Sequence, residues 1–153
     1  VGRRHGLSPV TVRCSVRPGQ GEATGFDLGD MVVTGDLGTT GSAGRVPDQG
    51  MMIHLSVVTL LDQLRGFLRG DVRYLRYYGV DTSFTLVLRR GEHHVAVSGR
   101  DGLLGRTTGP ALAAAVLDAA EDLLRVHPLP PGDPVAGDYR YALAEFRPLV
   151  AAR

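Results

Sequence analysis

From Val10 to Val16 the side chains alternate, with Val10, Val12, Cys14 and Val16 on one side and Thr11, Arg13 and Ser15 on the other. A period of two predicts a half-buried strand. The turn-forming PGQG at 18–21 follows, and EATGFDLGDMVVTG at 22–35 predicts one or two further strands interrupted near Gly29 and Asp30, so the chain opens as a β-meander. The run MMIHL at 51–55 reads as a short strand. Beyond it Val57, Leu60, Leu61, Leu64, Phe67 and Leu68 recur at helical spacing, with Ser56 placed to cap the first turn. Gly66 weakens that helix by about 1 kcal/mol relative to alanine.

A second β region follows. Phe84, Leu86 and Leu88 alternate against Thr85, Val87 and Arg89, and Gly91 with Glu92 supplies a turn into HHVAVSG, which together predict a hairpin. Leu112, Val116, Leu117, Ala120, Leu123 and Leu124 then form the apolar stripe of a second helix, capped by Thr108 and tolerating Pro110 in its first turn. HPLPPGDP ends that helix, and YRYALAEF predicts a short last one. Strict strand–helix alternation is absent. The expected fold class is therefore α+β: an antiparallel sheet, made of the N-terminal meander and the central hairpin, with two main helices on one face and a short C-terminal helix. Residues 1–153 read as a single domain, with 1–8 a flexible terminus and 35–50 a glycine-rich loop.

A length of 153 residues suffices to bury one core and leaves no room for two catalytic domains. Lys plus Arg against Asp plus Glu gives a net charge of only +1, which argues against a general nucleic-acid binder. All the basic charge is arginine: lysine and asparagine are absent and Ile53 is the sole isoleucine. Scarcity of residues with AT-rich codons points to a high-GC bacterial genome. Cys14 has no internal disulfide partner, so a reducing cytoplasm is expected. The start alternates with arginine instead of forming an apolar run, and no stretch approaches the roughly 20 apolar residues of a membrane span, so a soluble protein is expected. Val1 fits a GTG start codon and a trimmed terminus equally well.

Gly35, Gly38, Gly41 and Gly44 recur every third position after the apolar Met31, Val32 and Val33, which raises the question of a phosphate-binding loop. A Walker loop needs a lysine, and this chain has none. A dinucleotide fingerprint needs a helix directly after the glycine turn, and Pro47 and Gly50 break the segment that follows. No cofactor is expected. His93 and His94 are adjacent on a strand and point to opposite faces, and His5, His54 and His127 add no ligand motif, so no metal is expected. Cys14 sits on the apolar side of its strand, where a thiol behaves as a small hydrophobe.

The sequence DVRYLRYYGVD concentrates Arg73, Tyr74, Arg76, Tyr77 and Tyr78, and Arg89 and Arg90 end the next strand. Arginine and tyrosine join large contact area to directional hydrogen bonds and are favoured at protein interfaces. Arg73, Tyr74, Arg76, Tyr78, Arg89 and Arg90 are the candidate partner-binding set. Tyrosines could also stack on RNA bases, although the near-neutral charge opposes that use. The helix and hairpin in MMIHLSVVTLLDQLRGFLRG and YYGVDTSFTLVLRRGEHHVAV carry a resemblance. Over roughly residues 51 to 146 the chain resembles small uncharacterised bacterial α+β proteins, some of them immunity partners of polymorphic toxins. No catalytic motif accompanies the likeness, so it transfers no functional residue; it implies stoichiometric binding to another protein.

The leading expectation is thus a non-enzymatic cytoplasmic protein that binds another protein through an Arg and Tyr sheet face. One alternative is a small-molecule site between sheet and helices, near Leu64 and Phe84. A second is an enzyme built on Asp81, Ser83 and a hairpin histidine. An exposed strand edge or the C-terminal apolar segment offers a contact for a homodimer.

Overall fold

A computed structural model describes residues 7–151. The fold is α+β, with two four-stranded antiparallel sheets and three helices in place of the single sheet expected. The first sheet centres on β2 (Leu28–Gly35). β1 (Thr11–Val16) runs antiparallel along one side of it, while β3 (Gly38–Gly41) and β4 (Met51–Met52) pair with its two ends on the other. The second sheet is a simple meander of β5 (Tyr74–Tyr78), β6 (Thr85–Arg90), β7 (Val95–Gly99) and β8 (Gly102–Thr107). The sheets meet at β8, where Ser8 N donates to Arg106 O at 2.9 Å and Leu37 N to Leu104 O at 2.8 Å.

That junction corrects two expectations. Residues 1–6 lie outside the described residues, but Leu7 and Ser8 are bound to β8 and do not belong to a loose terminus. The segment 35–50 is not all loop: Asp36 and Leu37 make a two-residue turn, and Gly38–Gly41 returns along β2 as a strand. The glycines suit this packing. A Cβ on Gly35 would stand 2.3 Å from the Leu104 carbonyl oxygen, so β2 and β8 touch only because Gly35 carries none.

α1 (Ile53–Leu68) starts three residues before the expected cap. Ser56 is fully buried within the helix, where its hydroxyl donates to Met52 O and accepts from Val80 N, both at 2.8 Å, tying the helix to the β5–β6 connection. α2 (Gly109–Val126) begins as its sequence predicts, with the Thr108 hydroxyl accepting from Ala111 N at 3.1 Å. α3 (Pro134–Ala151) is a full 18 residues and not a short helix. Asp133 starts it by accepting from Val135 N, and its other oxygen accepts from Gly25 N, anchoring the helix to the β1–β2 connection. α1 packs on β5 and β2, α2 packs on β1, and α3 lies on α1 and α2.

The core sits between sheets and helices around Met31, Ile53, Leu64, Phe67, Tyr77, Phe84, Leu123, Tyr139 and Phe146. Its two tyrosines keep their hydroxyls satisfied: Tyr77 donates to Ser56 O at 2.7 Å and Tyr139 to Ala120 O at 2.6 Å. Leu64 and Phe84 are buried core residues that fill the space between sheet and helices near them. Among the described residues no helix is long and apolar enough to cross a membrane.

Candidate functional site: the outer face of the second sheet and its cleft

The alternation of β5 sends Leu75 and Tyr77 inward and Tyr74, Arg76 and Tyr78 outward. Antiparallel register places Arg89 opposite Tyr74, Val87 opposite Arg76 and Thr85 opposite Tyr78, then Ala96 beside Arg89 and Arg106 beside Ala96. The outer face therefore gathers Tyr74, Arg76, Tyr78 and Arg89 on two adjacent strands, with Arg106 beyond Ala96. The Arg89 guanidinium lies 4.7 Å from the centroid of the Tyr74 ring, at cation–π distance. Arg76 Nη2 donates to the Tyr74 hydroxyl at 3.0 Å, a contact that raises the Arg76 pKa further. None of the four strands contains an aspartate or glutamate.

Of the six candidate residues, four share this face: Tyr74, Arg76, Tyr78 and Arg89. Arg90 turns the other way, stacking over the Phe67 ring at 4.8 Å and donating to Phe67 O, so it closes the C-terminal end of α1. Arg73 is exposed just before β5 and has the parity of the inward residues. Arg106 joins the outer face from β8, a strand the sequence reading left out because its Gly-Leu-Leu-Gly start lacks a clear period.

At one end of the face lies a cleft of about 460 Å³. Its floor is Arg76, Phe84, Thr85 and Val87, and its wall is the segment from Thr40 to Gln49, which enters through a cis Val46–Pro47 bond. Ser83, Gly99 and Arg100 complete it. The wall is fastened in several places. Arg17 binds Asp30 and Asp48 together, with N–O distances of 2.8 Å to each, and these bonds hold the Asp48 carboxyl down at about 2. Thr82 Oγ1 donates to Gln49 O at 2.8 Å, and Gln49 Nε2 to Ser83 Oγ at 3.2 Å, joining wall to floor. Arg45 donates to Gly41 O and Thr40 Oγ1 and pairs with Asp101 at 3.5 Å. A Cβ on Gly99 would stand 2.7 Å from Thr40, so glycine is what lets the β7–β8 turn meet the wall.

The other chemical candidates fall elsewhere. Asp81 is exposed in a left-handed conformation at φ 64°, and Ser83 accepts from Gln49. His93 and His94 are at the far end of β6, roughly 20 Å away at about 3.3 Å per residue, and do not converge with them. The sequence also missed a pairing: His54 and His127 meet with ring centroids 5.8 Å apart at the joint of α1, α2 and the 23–27 segment. His54 Nε2 donates to His127 O, and His127 Nε2 lies 3.3 Å from Asp27 Oδ2. His54 is fully buried, its Nδ1 has no partner, and burial lowers its pKa. Among the described residues no group of three His, Cys, Asp or Glu side chains is arranged to hold a metal ion. Cys14 packs half-buried against the core, and burial, with Asp122 adding to it, pushes its thiol up to about 12.

Comparison of the chain with protein-family models, with curated proteins and with solved structures found no match.

Proposed function

We propose that the protein acts by stoichiometric, non-enzymatic association with another protein, docking an acidic surface of that partner on the outer face of the second sheet. An immunity-type or regulatory role, in which the partner's working surface is covered, fits this mode. One observation carries the reading: Arg76, Arg89 and Arg106 project from the same face as Tyr74 and Tyr78, with no carboxylate on any of its strands. The molecule as a whole is nearly neutral, so this is segregation of charge and not a general excess. A one-signed patch rimmed by aromatic rings attracts the opposite charge and supplies flat contact area once the surfaces meet.

The test is affinity purification of the tagged protein from its source organism, with a partner counted only at near-equimolar yield. Arg76→Glu with Arg89→Glu is expected to abolish recovery of that partner. Arg13→Glu with Arg140→Glu changes net charge equally but elsewhere on the surface, and is expected to leave recovery intact. A partner retained by the first pair, or lost equally with both, overturns the reading.

A further inference from the structure

We infer that the cleft beside the arginine–tyrosine face binds a small organic oxyanion, a carboxylate or phosphate carried on a flat apolar body. Arg76 and Arg100 are the only charged side chains lining it among the described residues. Neither takes part in an ion pair among the described residues. The carboxylates on the neighbouring segments, Asp48 and Asp101, are already paired with Arg17 and Arg45. Two unneutralised guanidinium groups in a concave site concentrate positive potential there, and their planar forks match the oxygen pairs of carboxylate and phosphate.

The rest of the lining suits the remainder of such a ligand. Val87 and Pro47 offer apolar surface over the buried ring of Phe84, and the Ser83 and Thr85 hydroxyls offer neutral hydrogen bonds. A volume of about 460 Å³ is that of a small-molecule site, with a few polar groups set among apolar ones. The site is also formed in advance. Thr82 and Ser83 bond the Gln49 segment to the floor, and Arg17 grips Asp48 behind it, so a ligand would not have to order the wall. The glycine-rich stretch thus contributes a side wall, while the anion-binding groups come from β5 and the β7–β8 turn.

This inference stands apart from the docking of a partner protein. Arg89 belongs to the face and not to the cleft, whereas Arg100 belongs to the cleft and not to the strands. The experiment is a titration of the isotope-labelled protein, followed by amide NMR, with phenyl phosphate and benzoate as probes and phenol and inorganic phosphate as their separated halves. At least one of the two intact anions is expected to bind saturably and shift the amides of Gln49, Ser83, Thr85, Gly99 and Arg100. Whichever binds more tightly identifies the oxyanion. Arg100→Ser and Arg76→Ser, each checked for an unchanged fold by its spectrum, are expected to weaken binding about tenfold or more, and Arg89→Ser to leave it unchanged. The inference is overturned if neither anion saturates below about 10 mM. It is overturned equally if the shifts scatter over remote arginines such as Arg13 and Arg140, if Arg100→Ser has no effect, or if phenol or inorganic phosphate alone binds as well as the intact probe. Arg76 serves both the face and the cleft, so the two readings are told apart by the residues they do not share: Arg100→Ser is expected to spare partner recovery, and Arg89→Glu alone to reduce it while leaving anion binding unchanged.

Discussion

A histidine sealed inside a protein is tolerated best without its proton. His54 is fully buried against His127 and Tyr139, with one ring nitrogen unpartnered, and Asp27 and Asp133 too weak an influence to offset desolvation. Its pKa in the folded protein therefore lies below that of the unfolded chain, about 6.5. As pH falls through that value the unfolded state takes up a proton that the folded state resists, so the equilibrium moves toward unfolding. His54→Gln is expected to cost on the order of 1 kcal/mol at neutral pH. It should nonetheless lose less stability than the parent protein when urea midpoints are compared at about pH 7.5 and pH 5. An equal loss in both would show that His54 does not carry the acid sensitivity. The sequence displayed five histidines and gave no sign that two would meet, because residues 54 and 127 are far apart in the chain and come together only once the helices pack. The outward set Tyr74, Arg76 and Tyr78 was legible, since strand alternation is a local property. Arg90 was not: its environment is the end of a helix more than twenty residues earlier.

Elements with a strong period and a cap were readable. α2 has both an apolar stripe and the Thr108–Pro110 start, and the β6–β7 hairpin has alternation and a turn. β3 and β8 were not, because Gly-Thr-Thr-Gly and Gly-Leu-Leu-Gly-Arg-Thr owe their strand state to partners instead of to propensity. The short C-terminal helix was underestimated for a related reason. Asp133 and Pro134 are sound start signals, but Gly137 and the proline-rich lead made the first turn resemble loop. At the join of the two sheets Gly35 abuts the backbone of Leu104, where a Cβ would stand 2.3 Å from the carbonyl oxygen. Gly35→Ala forces β2 from β8 and is expected to destabilise the protein by about 1–3 kcal/mol in denaturant unfolding. Gly38→Ala, whose new methyl would meet only Leu104 Cδ2 at an ordinary 3.7 Å, is expected to stay within about 0.5 kcal/mol. Similar losses for both would mean that the two sheets have slack where they join.

Across the molecule, a net charge of +1 conceals a sheet face from which acids are missing and a helix layer in which they pair with arginine, as in Arg147–Glu121 and Arg65–Glu145. Composition could not reveal this, since it counts charges without placing them. If the arginine face steers a partner, raising salt from about 0.05 to 0.5 M should weaken the complex strongly, because the screening length shrinks from above 10 Å to a few ångström. Salt-independent binding would point to an apolar contact instead. The cleft adds a different kind of consequence. Its wall comes from residues 40–49 and its floor from residues 76–87, so the two halves belong to different sheets and neither exists as a cleft by itself. A fragment ending before α1 would keep one surface and a fragment beginning after it the other, and neither could hold what the whole chain holds. Occupancy of the cleft is therefore a signature of complete assembly, and a molecule lodged there would add one more tie to those that Thr82, Ser83 and Gln49 already make between the halves.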